Sequence, residues 1–180
     1  MIQKVFDRHY CSQNVIRIAV SLFLVSLLLS CSEEKEENIK VGDQAPGFSV
    51  TDLDGIIISL SDYQGSPVVL RFFLLDCKYC RADTPLFNDY YSRFYEKGLR
   101  VLYIDTLATD ARELRGFKKE LAIAFPVTRD TEGEVAARYR VKAFPQTVIL
   151  DPQHKIIAAI FGGVSEAELK SLLSPHLLRD

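Results

Sequence analysis

The chain has 180 residues, is 48% hydrophobic, and carries 22 Lys+Arg against 24 Asp+Glu for a formal net charge of -2. That length suits one compact domain and hardly two. The near-balanced charge lacks the basic footprint that phosphate neutralisation requires, which argues against nucleic acid, and the apolar fraction excludes a disordered chain.

Residues 1–30 differ in kind from the rest of the chain. Lys4, Arg8 and Arg17 make a basic leader, and residues 18–30 are an uncharged run of Ile, Ala, Val, Leu, Phe and Ser. At about 1.5 Å per residue this run is a helix of roughly 20 Å, short of a hydrocarbon core of about 30 Å, so it reads as an export signal rather than a permanent span. Leu28-Leu29-Ser30-Cys31 resembles a bacterial lipobox, in which the chain is cut before the cysteine and lipid is attached to it. Cys31 is therefore the expected lipidation site, with several acyl chains holding the protein to the membrane. Residues 31–40, with Glu33-Glu34-Lys35-Glu36-Glu37, have little to bury and read as an acidic tether. Residues 41–180 form the domain.

With Cys11 in the signal and Cys31 at the anchor, Cys77 and Cys80 are the pair left in the domain. So small a loop gives a structural disulfide little closure stabilisation, whereas a C-x-x-C at a helix start favours a reactive thiol. Zinc sites use the same spacing, and context separates the two. Before the pair, residues 48–60 read as a hairpin turning at Asp54-Gly55, residues 61–63 as a short turn or helix, and residues 67–75 as a strand with apolar side chains on both faces and Arg71 as the exception. A helix comes at once over 78–96, with Leu86, Tyr90 and Phe94 at helical spacing, Pro85 near its start and Gly98 at its stop. Cys77 therefore stands at a strand-to-helix turn, where the helix N-terminal amides favour a thiolate.

Alternation continues with a strand at 99–105, helices at 110–123 and 131–139, a strand at 146–151, a turn at 151–154 and a strand at 155–161. The last helix begins at Ser165, where Ser165 and Glu168 have capping-box spacing. This order predicts an α/β protein with a mixed sheet and helices on both faces.

The chain resembles thioredoxin-fold proteins of the exported, membrane-anchored branch that includes the cytochrome c maturation reductases and is related to the alkyl hydroperoxide reductase/thiol-specific antioxidant proteins. The matching pieces are Val41-Gly-Asp-Gln-Ala-Pro-Gly-Phe48, Leu60-Ser-Asp-Tyr-Gln-Gly65, Cys77-Lys-Tyr-Cys80, Pro85, Phe125-Pro-Val127, and Tyr139, Val141, Pro145, Thr147, Leu150 and Asp151 in order. The resemblance implies a thioredoxin-like fold with an added N-terminal hairpin. Its activity would be thiol-disulfide exchange, with Cys77 attacking and Cys80 resolving, and no cofactor beyond the two sulfurs. It further implies a cis bond before Pro145, with the backbone at Phe144 meeting an extended substrate segment and Lys78 and Tyr79 contacting it from the helix start. Asp83, three residues past Cys80 where many relatives carry Glu, is the candidate base for Cys80; the alternative is an acid that only favours the helix start.

Three departures qualify the transfer. Asp76 replaces the usual Trp before the first cysteine, Lys78-Tyr79 lacks the proline frequent in reductases, and Arg71 stands where relatives have Asn or a buried Asp. An arginine in a core strand needs a partner, and Asp83 and Asp76 are the candidates. One rival activity is a peroxiredoxin-like thiol peroxidase with its reactive cysteine at Cys80; it would need a Thr where this chain has Cys77. Another is a metal-binding carrier, for which His154 and His176 are the remaining soft ligands. The expected protein is thus an exported, lipid-anchored monomer on the periplasmic side of a cell-envelope membrane. It would exchange electrons with protein thiols, more readily as a reductase fed by a transmembrane donor.

Overall fold

Runs of β-branched and aromatic residues pair into one seven-stranded sheet in the computed structural model, which describes residues 39–177. The strands are β1 (Ser49–Asp52), β2 (Ile57–Ser59), β3 (Val68–Phe73), β4 (Arg100–Asp105), β5 (Val127–Arg129), β6 (Gln146–Leu150) and β7 (Ile156–Phe161), and the helices are α1 (Lys78–Phe94), α2 (Ala111–Glu120), α3 (Glu134–Arg138) and α4 (Glu166–Leu177). The expected signal, the lipid-bearing Cys31 and nearly all of the tether lie outside the described residues.

In space the strands run β2-β1-β5-β4-β3-β6-β7. β4 is parallel to both β3 and β5, while β6 lies antiparallel to β3 and β7, so the sheet is mixed as expected. The N-terminal hairpin joins this sheet through antiparallel pairing of β1 with β5. Its turn is held by Asp52, whose carboxylate accepts from the amides of Asp54 and Ile56 at 2.8 Å each.

Strand periodicity then sorts side chains to two faces. Val69, Phe73, Val101, Tyr103 and Ile149 pack on one face with Phe87 and Cys80 of α1, Leu114 and Phe117 of α2, and Leu169 and Leu173 of α4. Val68, Leu70, Phe72, Leu102, Ile104, Val148 and Leu150 face the other way, against Val135 of α3, Tyr139 and Phe48. Arg71 shares the parity of Val69 and Phe73, so its side chain enters the first layer, beneath α1.

Boundaries moved where polar groups could close the backbone. Helix α1 ends at Phe94, with Gly98 at φ 95° while the amides of Gly98 and Leu99 bond back to Tyr95 and Phe94; a left-handed residue is what that stop requires. Helix α2 stops at Glu120 and not at residue 123. Helix α3 begins at Glu134, because the buried Asp130 carboxylate turns back to accept the amides of Val135 and Ala136. The strand at 127–129 did not figure among the expected elements. It is three residues long, and Thr128 and Arg129 interrupt its apolar pattern.

Candidate active site

Cys77 is the N-cap of α1, with extended φ/ψ of -75° and 110°, and its sulfur accepts the Cys80 amide at 3.2 Å. A preceding turn, closed by the Cys77 amide on the Leu74 carbonyl, carries the chain from the end of β3 to this cap. The Cys80 amide in the first turn of α1 therefore points at the Cys77 sulfur, and such a position at a helix start favours a thiolate. Cys77 and Cys80 are joined as a disulfide with Cα atoms 5.2 Å apart. The two sulfurs differ in access: Cys77 is half-buried, whereas Cys80 is wholly buried (0% exposed) in the α1 face of the core.

Of the expected flanking residues, Tyr79 is 53% exposed and the Lys78 ammonium lies 5.0 Å from its ring centroid. Asp76 is exposed at the turn. The Phe144–Pro145 bond is cis, Phe144 is half-buried, and the Pro145 carbonyl accepts the Gly162 amide at 2.8 Å. Register brings this loop to the cysteine end of the sheet, because Gln146 pairs with Phe72 and so sets Pro145 beside the strand end that leads to Cys77. Phe161, 59% exposed, pairs with Gln146 from the other side.

Asp83 lies one turn past Cys80, and it is the partner of Arg71. Arg71 is 0% exposed, its Nη2 is 2.7 Å from Asp83 Oδ2, and its Nη1 donates to Thr147 Oγ1 at 2.5 Å and to the Gly162 carbonyl at 3.3 Å. Asp83 Oδ2 also accepts the Val164 amide at 3.0 Å. Burial presses the Arg71 pKa down, and Tyr103 and Asp83 oppose that shift. Beside the pair, burial raises the Tyr103 phenol above its ordinary range, against the Thr84 hydroxyl and Arg71. Thr84 itself donates to the Cys80 carbonyl at 2.7 Å.

Sequence reading missed Thr147, Thr84 and Tyr103 as parts of this polar cluster, since only strand pairing brings Thr147 opposite Arg71. It also missed Asp105, fully buried at the cysteine end of β4, whose carboxylate holds the Thr109 amide and hydroxyl at 2.9 and 2.8 Å. An Asp at a strand end with Thr four residues later was the available signal. The two histidines do not join the pair. His154 is buried at the β6–β7 turn, at the opposite end of β6 from Pro145, and His176 is in α4. Among the described residues no three His, Cys, Asp or Glu side chains group as a metal site.

Residues 41–159 match the model of the AhpC/TSA family. The thiol-disulfide oxidoreductase ResA of Bacillus thuringiensis subsp. konkukian is 35% identical over 139 residues, covering 77% of this chain and 80% of the relative. ResA of Bacillus subtilis is 27% identical, with 77% of each chain covered. Among solved structures, a Chlorobium tepidum protein assigned as thiol:disulfide interchange protein DsbE superposes with TM-score 0.71 at 26% identity, covering 78% of this chain and 99% of that one. The thioredoxin domain of a thiol-disulfide oxidoreductase from Bacteroides vulgatus gives TM-score 0.69 at 24% identity, with 78% and 99% covered.

Proposed function

The chain belongs to the AhpC/TSA family and is a thiol-disulfide oxidoreductase of thioredoxin-like fold, and from that premise we propose that it is an exported, lipid-anchored reductase of protein disulfides. The observation that carries the mechanism is the unequal access of the two sulfurs at one helix start. Cys77, half-buried and accepting the Cys80 amide, meets the substrate; Cys80, wholly buried, waits behind it.

In the reduced protein the Cys77 thiolate attacks one sulfur of a substrate disulfide in line, and the other substrate sulfur leaves as a thiolate and takes a proton. Cys80 then loses its proton and attacks the Cys77 sulfur. The bond between Cys77 and the substrate breaks, the second substrate thiol departs, and the Cys77–Cys80 disulfide holds the two electrons' worth of oxidation. The substrate segment lies between the exposed Tyr79 and Lys78 on one side and the Phe144–Pro145 loop on the other. The resemblance to cytochrome c maturation reductases supports cysteine pairs of exported polypeptides, apocytochrome c among them, as substrates. An oxidising compartment returns the pair to the disulfide, so a transmembrane thiol carrier must re-reduce it. The lipobox-like Leu28–Cys31 supports anchoring through Cys31, and among the described residues no helix is long and apolar enough to cross a membrane.

Equilibrating the Cys77/Cys80 couple against glutathione tests the direction. A potential near the roughly -270 mV of thioredoxin supports a reductase, and one near the roughly -120 mV of a strong periplasmic oxidant rejects it.

A further inference from the structure

Resting on this exchange chemistry, we propose that Arg71 is a positioning residue that holds Asp83 as its fixed counter-ion and takes that carboxylate out of proton transfer with Cys80.

Asp83 has the sequence position of a base, but its geometry belongs to Arg71. The guanidinium is 0% exposed and the Asp83 side chain 14% exposed, and their atoms meet at 2.7 Å. A buried arginine without its counter-charge is strongly unfavourable, so Arg71 holds Asp83 in place. The oxygen that takes Arg71, Oδ2, also takes the Val164 amide, and both carboxylate oxygens lie 3.6–3.7 Å from where a Cβ on Gly163 would stand. Asp83 thus faces the β7–α4 turn, with its Oδ2 committed to Arg71 and to the Val164 amide.

Arg71 in turn is not free to let go. Its Nη1 is committed to Thr147, two residues past Pro145, and to the Gly162 carbonyl, and its Cζ sits 5.1 Å from the Phe87 ring centroid. One guanidinium therefore ties α1, which carries Cys80, to β6 and to the turn into α4. Tyr103 on β4 faces the pair as a neutral phenol with raised pKa, β6 brings only the uncharged Thr147, and α1 brings Thr84 and the cysteines themselves. Glu166, at the head of α4, acts on Tyr90.

During resolution the Cys80 thiol therefore gives up its proton without Asp83, its sulfur bonds to Cys77 Sγ, the bond from Cys77 to the partner breaks, and the partner leaves as a thiolate that takes up a proton. The pH dependence of this step carries one limb, the ionisation of the Cys80 thiol. Arg71 sets that shape by occupying the carboxylate that stands one turn from the resolving sulfur.

The test uses the reduced full-length protein and Ellman's reagent. The first thionitrobenzoate released reports attack by Cys77 and the second reports resolution by Cys80, and the rate of the second is measured across pH. The wild type and the R71M/D83N double variant, which strands neither partner, are expected to show the single thiol limb, whatever their rates. The R71M variant frees the carboxylate and gains a second limb on the acid side, with resolution there accelerated about tenfold or more relative to the double variant. A carboxyl limb already present in the wild type and lost in R71M/D83N overturns the proposal, as does an R71M profile that tracks the double variant. If R71M fails to fold, the wild-type and double-variant profiles decide alone. A wild type that releases no first equivalent through Cys77 overturns the exchange chemistry itself, an outcome distinct from a carboxyl limb.

Discussion

Two sulfurs three residues apart have unequal access because one side chain stops at the helix cap while the other turns into the core. Replacing Cys77 by Ser is expected to abolish transfer from dithiothreitol to insulin, a loss of about 10³-fold or more, because the attacking sulfur at the cap is gone and Cys80 is sealed in the core. Cys80→Ala retains the attack and accumulates the mixed disulfide, which non-reducing electrophoresis resolves. The same Cys77→Ser variant separates exchange from peroxidase chemistry: peroxide consumption that survives it would move the reactive sulfur to Cys80. Most of this was legible in the residues themselves, since C-x-x-C between a strand and a helix names both sulfurs and a cap position. The need of Arg71 for an acid was equally legible. Which acid it takes was not, because Asp76 and Asp83 both lie close to it in sequence, and only the alternation of β3 shows that Arg71 points under α1 toward Asp83. Thr147 was out of reach for the same reason, acquiring its role from a partner strand.

Elements were legible where a local pattern and a local stop agreed. The capping box at Ser165 is present as read, with the Ser165 amide 2.9 Å from Glu168 Oε2 and the Glu168 amide 3.3 Å from Ser165 Oγ. Gly98 likewise ends α1, and its φ of 95° makes a prediction at this scale. The nearest atom to a Cβ there is Ser66 Oγ at 3.8 Å, an ordinary contact, so the cost of Gly98→Ala is conformational and not steric. Urea denaturation is expected to show a loss of about 1 kcal/mol with an unchanged denaturant slope. An unchanged midpoint would mean that the α1–β4 connection does not depend on the left-handed stop. Where pattern and stop disagreed, the sequence misled: Asp130 closes α3 from four residues ahead of its first helical residue, and β5 is too short for its period to show.

At the scale of the molecule, the two-faced sheet puts a large aromatic phenol in each half of the core. Tyr103 lies among Phe73, Phe87 and Phe125 on the α1 face, and Tyr139 packs on Phe48 and Phe72 on the other. Tyr63 lies beside the second cluster, at the short 3₁₀ turn after β2. Burial raises all three phenols from the ordinary 10.0, with Tyr63 pushed up to about 12 and the other two higher. Folded tyrosines thus keep their protons over a range in which unfolded ones release them. Below the unfolded value both states are neutral and this contribution to stability is fully present. As pH rises from 10 toward 12 the unfolded chain binds fewer protons than the folded one, so stability falls with pH, and both faces of the sheet lose it together. Thermal melts across that range are expected to show the melting temperature dropping steeply above pH 10 in one cooperative transition. Tyr63→Phe removes one of the proton differences between the folded and unfolded chains, so the decline over the same range should become shallower while its onset stays in place. A melting temperature that stays level across the range would mean that these phenols are as accessible to hydroxide when folded as when unfolded, and that the sheet does not seal either half of the core.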